Sequence, residues 1–158
     1  MRRLKLKNQD VLLLCVLALD QITKLVIVMW AHQGWRGTRV TSFLNLTYVQ
    51  NTGVSFGLLK DLNALHPHFL SFLTLFIAFG FYLWCQKART FALRHGLVLI
   101  VGGALGNILD RFCRLGVVDF IDFHLKNWHF PAFNIADIAI TSGALLLLYD
   151  TFFLRKGS

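Results

Sequence analysis

Long apolar stretches alternate with shorter polar stretches along the whole chain. Four apolar stretches run over residues 11–30, 69–85, 95–110 and 132–154. Each is close to the roughly 20 residues that an α-helix needs to cross the hydrocarbon core of a bilayer. The pattern therefore predicts a single membrane domain over residues 1–158, an α-helical integral membrane protein with four transmembrane helices.

The first polar connection, residues 31–67, carries a second kind of pattern. Leu44, Leu46 and Tyr48 recur at every second position within residues 41–50, which is typical of a short β-strand. The edges of a sheet cannot lie exposed in hydrocarbon, because their backbone groups would stay unpaired. We therefore expect a small extracytoplasmic β-sheet or loop region between helices 1 and 2, at the membrane surface.

The distribution of Lys and Arg predicts the orientation of the chain. If both termini lie inside, nine of the 16 Lys and Arg residues fall on the terminal segments and on the short loop at 86–94. Six fall on the connections at 31–67 and 111–131, which are much longer in total. The positive-inside rule then predicts that both termini are cytoplasmic and that these two connections are extracytoplasmic.

Composition agrees with a membrane protein and argues against a nucleic-acid partner. The chain is 56% hydrophobic and only 15% charged, whereas soluble domains have about 45–50% apolar and 25% charged residues. The net charge of +8 would by itself be compatible with nucleic-acid binding. The basic residues, however, stand at the ends of the apolar stretches, where they orient helices, so we expect no nucleic-acid partner.

The stretch from residue 117 to residue 137 contains the strongest candidate chemistry. It holds three aspartates, and two of them, Asp119 and Asp137, have apolar neighbours. Burying a carboxylate at a membrane boundary is costly, so such residues are rare without a reason. If the two carboxylates touch, they share one proton, so that one activates a water while the other donates to a carbonyl oxygen. That arrangement is the one that aspartic proteases use, although a pair of capping or hydrogen-bonding aspartates explains the same pattern.

Further polar residues lie on the predicted helices. Asp20 and Lys24, four apart on helix 1, share one face and can form an ion pair. Asn107, Asp110 and Arg111 lie at the outer end of helix 3, and Asn134 lies three residues before Asp137 at the outer start of helix 4. Asp110 is also apolar-flanked, so spacing alone leaves it open as a catalytic carboxylate. Asp122 is expected to be exposed, and Asp150 is expected to be solvated near the cytoplasmic side.

Other classes of function explain part of the pattern. A small transporter would use Asp20, Lys24, Asp110 and Asp137 as a proton relay, and a lipid-binding scaffold would need none of the carboxylates. A metal site is poorly supported, since the histidines form only pairs and the chain has no Glu. A serine nucleophile is poorly supported as well. Ser55 stands in a GxSxG sequence, GVSFG at 53–57, but no helix is predicted directly after it, as the strand–turn–helix setting of such a nucleophile requires.

Five motifs, in order along the chain, resemble those of bacterial lipoprotein signal peptidases, the signal peptidase II family. They are DQITK at 20–24, QNTGVSFG at 50–57, GGALGNILDR at 102–111, VVDFIDF at 117–123 and FPAFNIAD at 130–137. The second motif departs slightly from the family, which more often has alanine where Val54 and Ser55 stand. Both residues are small, so the departure leaves the resemblance intact.

The resemblance implies an aspartic endopeptidase of the bacterial inner membrane, with its active site at the outer face and with neither metal nor cofactor. Its catalytic dyad maps to Asp119 and Asp137, and Asp20 and Lys24 map to a structural polar pair. The substrates implied are prolipoproteins whose cysteine carries diacylglycerol, cleaved just before that cysteine, and the implied inhibitor is globomycin. Membrane lipids surround the protein. The positions that match motif residues around the dyad are Asn51, Gly53, Asn107, Asp110, Arg111, Asn134 and Ala136.

Overall fold

The structure, a computed structural model, describes residues 8–52 and 67–154. These residues form four helical segments and a small antiparallel sheet. Each of the four segments is long and apolar enough to cross a membrane. The helices are α1 (Asn8–His32), α2 (Pro67–Gln86), α3 (Phe91–Arg114) and α4 (Ile135–Tyr149), and a π-helical turn (Asp150–Leu154) continues α4.

Local capping explains where α3 and α4 begin. Thr90 precedes α3 in an extended conformation, and its side chain accepts a hydrogen bond from the backbone N–H of Leu93. Asn134 caps α4 in the same way, so this helix begins at residue 135 rather than at 132. Because a cap satisfies backbone N–H groups that have no partner within the helix, it marks the helix start more sharply than hydropathy does.

Helix α3 occupies the centre of the bundle. Most of its side chains are buried, whereas most side chains of α1, α2 and α4 are partly or fully exposed, as those of helices that face lipid are. Small residues allow the close packing that this position requires. A Cβ atom on Gly102 would lie 3.2 Å from the side chain of Val16 on α1, and a Cβ atom on Gly106 would lie 2.5 Å from Oδ2 of Asp20.

The sheet contains four antiparallel strands in the order β1 (Gly37–Arg39), β2 (Leu44–Asn51), β3 (Val117–Leu125) and β4 (Trp128–His129). A strand within 41–50 was expected, and β2 lies there. The expectation that the sheet belongs only to the connection between helices 1 and 2 is too narrow, since β3 and β4 come from the 111–131 connection. Asp119, which we expected on a loop, lies on β3.

An apolar cluster fixes the sheet on the bundle. Ile27 of α1 packs with Val118 and Phe120 of β3, and Leu46 and Tyr48 of β2 pack around this centre. The sheet therefore rests against the end of α1, next to the residues at which α3 ends and α4 begins.

Candidate active site

A backbone bridge brings the two ends of the 117–137 stretch together. The N–H of Ile121 donates to the carbonyl of Phe133 at 2.9 Å, and the N–H of Phe133 donates back to the carbonyl of Ile121 at 3.1 Å. The chain leaves β3, turns at β4, and returns beside β3 just before α4 begins. Asp119 on the strand and the first turn of α4 are therefore neighbours, although 18 positions separate Asp119 from Asp137.

Asp119 is buried and holds two hydrogen bonds from amide side chains. Its carboxylate accepts from Nδ2 of Asn134 at 2.7 Å and from Nδ2 of Asn51 at 3.0 Å, and only 3% of the residue is exposed. Burial, together with the nearby charge of Asp137, raises the pKa of Asp119 from 3.8 to about 6, although the hydrogen bond from Asn51 opposes this shift. A carboxyl group with such a pKa keeps its proton up to about pH 6, where an ordinary aspartate has lost it, and this suits a general acid.

Asp137 combines a capping role with access to the surface. Its Oδ2 accepts the backbone N–H of Asn134 at 3.2 Å, while its own N–H donates to Oδ1 of Asn134 at 3.0 Å, so the two residues form a capping box. Its Oδ1 accepts Nδ2 of Asn107 at 2.9 Å. Asn134 therefore binds both carboxylate residues at once. Asp137 is therefore a capping residue, as one interpretation of the sequence proposed. It is nevertheless partly exposed and lies beside Asp119.

Two pockets reach the carboxylates from different sides. One has a volume of about 360 Å³, is mainly apolar, and is lined by Phe130, Phe133, Asp137, Ile138, Thr141 and Ser142. The other has a volume of about 250 Å³, is more polar, and is lined by Val49, Gln50, Asn51, Thr52, Asp119, Pro131 and Ala132. The segment before α4 lines both pockets, with Phe130 and Phe133 in the first and Pro131 and Ala132 in the second. An extended chain that crosses this segment could contact both carboxyl groups.

Asp110 is enclosed by donors and belongs to neither pocket. Its carboxylate binds Lys24 Nζ at 3.1 Å, the backbone N–H of Val118 at 3.0 Å, and the guanidinium of Arg114. It has no exposed surface. Asp110 therefore ties α1 and α3 to the start of β3, and its geometry is that of a structural residue.

The ion pair expected on helix 1 is present, and it reaches further than expected. Lys24 Nζ lies 2.9 Å from Oδ2 of Asp20, and neither residue has exposed surface. Lys24 also donates to Oδ1 of Asn107 at 2.9 Å, and Asp20 accepts the backbone N–H of Ala136 at 2.9 Å.

The sequence reasoning missed two members of this network. Gln21 donates to Asp20 at 3.0 Å and to the carbonyl of Gly106 at 3.1 Å, and Arg114 binds Asp110. Both carried a signal, since Gln21 is a polar residue within an apolar stretch and Arg114 stands one helical turn after Asp110.

The remaining predicted site residues are Ala136, Arg111 and Gly53. Ala136 is fully buried between α3 and α4, where it makes room for close packing. The guanidinium of Arg111 donates to the carbonyl of Asn107 at 3.4 Å, and its charge interacts with those of Asp137 and Asp119. Gly53 lies outside the described residues.

Two aspartates outside the site differ from expectation. Asp122 is half-buried rather than exposed, because it accepts Nδ2 of Asn45 at 2.9 Å and lies 2.9 Å from Nδ1 of His129. Burial opposes ionisation of Asp122, but these neighbours outweigh it and lower its pKa. Asp150 is fully buried rather than solvated, and it accepts a hydrogen bond from the hydroxyl of Thr90.

The described residues show no cluster of side chains that could bind a metal ion. The residues that the structure describes contain no group of three or more His, Cys, Asp or Glu side chains placed to hold a metal ion. The site itself presents two carboxyl groups, those of Asp119 and Asp137, and the amides that bind them.

Comparison with known proteins identifies the family. The model of the family described as "Signal peptidase (SPase) II" matches residues 12–153. The "Lipoprotein signal peptidase" of Burkholderia vietnamiensis is 44% identical over 141 residues, covering 87% of this chain and 82% of that protein. The corresponding protein of Burkholderia cenocepacia strain J2315 is 42% identical over 149 residues, covering 92% and 87%.

Solved structures agree in fold. A bacterial membrane enzyme solved by the in meso method at 1.9 Å resolution superimposes with a TM-score of 0.75 at 30% sequence identity, over 95% of this chain and 94% of that one. A second such structure, at 2.3 Å resolution, gives a TM-score of 0.73 at 31% identity, over 95% and 92%. These findings favour the peptidase interpretation over the transporter and the scaffold, and with four apolar helices they indicate a multi-pass membrane protein. The chain belongs to the signal peptidase II family of membrane peptidases.

Proposed function

We propose that the protein is an aspartic endopeptidase that removes signal peptides from diacylglyceryl-modified prolipoproteins, cutting just before the lipid-modified cysteine. The observation that carries the proposal is the junction of β3 and α4. There, Asp119 is buried and has a raised pKa, and it lies beside the partly exposed Asp137. Two carboxyl groups in different environments are what general acid–base cleavage of an amide requires.

The two carboxyl groups take complementary roles in this mechanism. Ionised Asp137 removes a proton from a water molecule, whose oxygen attacks the scissile carbonyl carbon, while Asp119 donates its proton to the carbonyl oxygen. In the tetrahedral intermediate, Asp137 passes its proton to the leaving nitrogen as the C–N bond breaks. Asp119 takes back a proton from a hydroxyl of the intermediate. The products are the carboxyl end of the signal peptide and the free amino group of the lipid-modified cysteine.

The neighbouring residues support this chemistry in different ways. Asn51, Asn107 and Asn134 hold the carboxylates with donated hydrogen bonds. Arg111 contributes positive charge near the dyad, and its buried Nε makes no hydrogen bond with any residue that the structure describes. Gly53, which lies outside the described residues, is proposed from its motif position to belong to the substrate-binding residues.

The environment of the pockets suits a substrate that is anchored in lipid. The apolar pocket beside Asp137 opens between Phe130, Phe133 and Ile138, on a helix that faces lipid. Acyl chains can stay among membrane lipids while the peptide bond reaches the carboxylates. With the orientation expected from the positive charges, the site lies at the outer face of the bacterial inner membrane, and both termini are cytoplasmic.

The test is cleavage of a diacylglyceryl-modified prolipoprotein by purified protein in detergent, with a chelator in every reaction. We expect cleavage by wild type, inhibition by globomycin, and no cleavage by Asp119→Asn or Asp137→Asn, each verified to be folded. Asp122→Asn, which changes an aspartate on the same strand outside the dyad, is the matched control and should cleave normally. Cleavage that survives Asp119→Asn but not Asp110→Asn would move the dyad to Asp110 and Asp137. A metal requirement would show as loss of wild-type activity in the chelator.

A further inference from the structure

The ammonium group of Lys24 is buried with a complete set of partners. Its Nζ lies 2.9 Å from Oδ2 of Asp20, 3.1 Å from Oδ2 of Asp110 and 2.9 Å from Oδ1 of Asn107. An ammonium group has three N–H donors and no acceptor, so these three oxygens use its entire capacity. Two acceptors carry the charge that a buried cation needs. The third acceptor, the amide of Asn107, is neutral and adds nothing to charge balance.

The chemistry of Lys24 decides which way the Asn107 amide points. An amide has one oxygen that accepts and one nitrogen that donates, and only the oxygen can face an ammonium group. Nδ2 of Asn134 also donates to this oxygen, at 3.2 Å, which fills its second lone pair. With its oxygen fixed on this side, the Asn107 amide must turn its NH₂ group to the other side. There it donates to Oδ1 of Asp137 at 2.9 Å.

The opposite orientation of the amide would disable the site. The NH₂ group of Asn107 would meet two groups that only donate, Lys24 Nζ and Asn134 Nδ2. Its oxygen would meet the Asp137 carboxylate, where two acceptors repel each other. An amide held without such constraints can rotate between the two orientations, so the constraint has to come from its neighbours.

We propose that Lys24 is a positioning residue of the active site, which orients the Asn107 amide so that an N–H donor always faces Asp137. Lys24 is hydrogen-bonded to neither carboxylate of the dyad and reaches Asp137 through Asn107, while its charge also acts on Asp119 by lowering the pKa of that carboxyl group. This inference rests on the proposed roles of Asp119 and Asp137, and it extends the function of Lys24 beyond that of a structural ion pair. Loss of the constraint would lower the rate of the chemical step while leaving substrate binding intact.

The central experiment separates positioning from stability. Asp20 is as fully buried as Lys24 and pairs with it, but its hydrogen-bond partners are Gln21, Ala136 and Lys24 rather than Asn107. Asp20→Asn, which keeps an acceptor for Ala136, should therefore lower the melting temperature and leave kcat per folded molecule within about twofold of wild type. The double variant Lys24→Met/Asp20→Asn removes both charges of the pair together. It should regain most of the lost stability, with kcat lower by roughly 10- to 100-fold and KM nearly unchanged.

A second variant tests the orientation without changing Lys24. Asn107→Asp keeps an oxygen towards Lys24, and adds an ion pair there, but places its second oxygen against Asp137. We expect a folded protein with a kcat that is again lower by roughly 10- to 100-fold. Asn107→Asp with wild-type kcat, or a stable Lys24→Met/Asp20→Asn with wild-type kcat, would overturn the proposal. Full activity in Asp119→Asn or Asp137→Asn would instead overturn the proposed dyad, so the two failures are distinguishable.

Discussion

The buried carboxyl group of Asp119 should lower the stability of the protein at neutral pH, where this group is ionised. The folded state raises the pKa of Asp119 from 3.8 to about 6. Between these pH values the folded protein keeps a proton that the unfolded chain has lost, so stability falls as the pH rises. The contribution is fully present below pH 3.8 and is lost once the pH passes about 6. The difference of about two pH units corresponds to roughly 3 kcal/mol.

Asp119→Asn should remove this dependence, because an amide resembles the protonated carboxyl group and does not ionise. We expect the variant to be inactive, and we expect its stability relative to wild type to rise by up to about 3 kcal/mol between pH 4 and pH 7.5. The assay is thermal unfolding in detergent between pH 4 and pH 8, followed by tryptophan fluorescence.

The control is an aspartate whose pKa shift has the opposite sign. The folded state lowers the pKa of Asp122, so its contribution is present above the unfolded pKa and is lost as the pH falls through the folded pKa. Asp122→Asn should therefore leave the loss of stability between pH 4 and pH 6 unchanged. If Asp119→Asn shows the same loss of stability with rising pH as wild type, the reasoning about the burial of Asp119 is refuted.

Three further predictions follow from the geometry. The kcat/KM of wild type should fall about tenfold for each pH unit above about 6, as the dyad loses its last proton, and a flat pH–rate profile up to pH 8 would contradict this. Gly106→Ala should lower the free energy of unfolding by about 1–3 kcal/mol, because the new Cβ atom would lie 2.5 Å from Asp20. Gly80→Ala, with open space around it, should not destabilise the protein in the same thermal scan. Thr90→Ala should cost about 1–2 kcal/mol, since it removes a helix cap and a partner of buried Asp150, with kcat per folded molecule unchanged in the cleavage assay.

Hydropathy was sufficient to predict the four helices, because a membrane span needs a long apolar stretch and little else in the sequence resembles one. The ends of α3 and α4 were not predicted to the residue. They depend on caps such as Thr90 and Asn134, whose effect lies in local backbone geometry. The strand that holds Asp119 was also missed, since Val117 to Phe120 form one buried run without alternation.

The candidate site was predictable as a set of residues but not as an arrangement. Apolar flanks drew attention to Asp119, Asp137 and Asp110 alike, and spacing alone could not rank them. The structure separates them by their partners, since cations and backbone N–H groups enclose Asp110, while amides hold the other two beside open pockets. The link from Lys24 to Asn107 joins residues 83 positions apart, and no local pattern carries that information.

At Phe133, the backbone and the side chain have separate roles. The backbone bridge to Ile121 places the two carboxylates, and the side chain shapes the apolar pocket. Main-chain atoms alone form the bridge, so nearly any residue except proline can make the same bonds. The side chain of Phe133, meanwhile, forms part of the wall of the apolar pocket. A substitution at position 133 can therefore reshape that pocket, while the backbone of the same residue continues to hold the two carboxylates together.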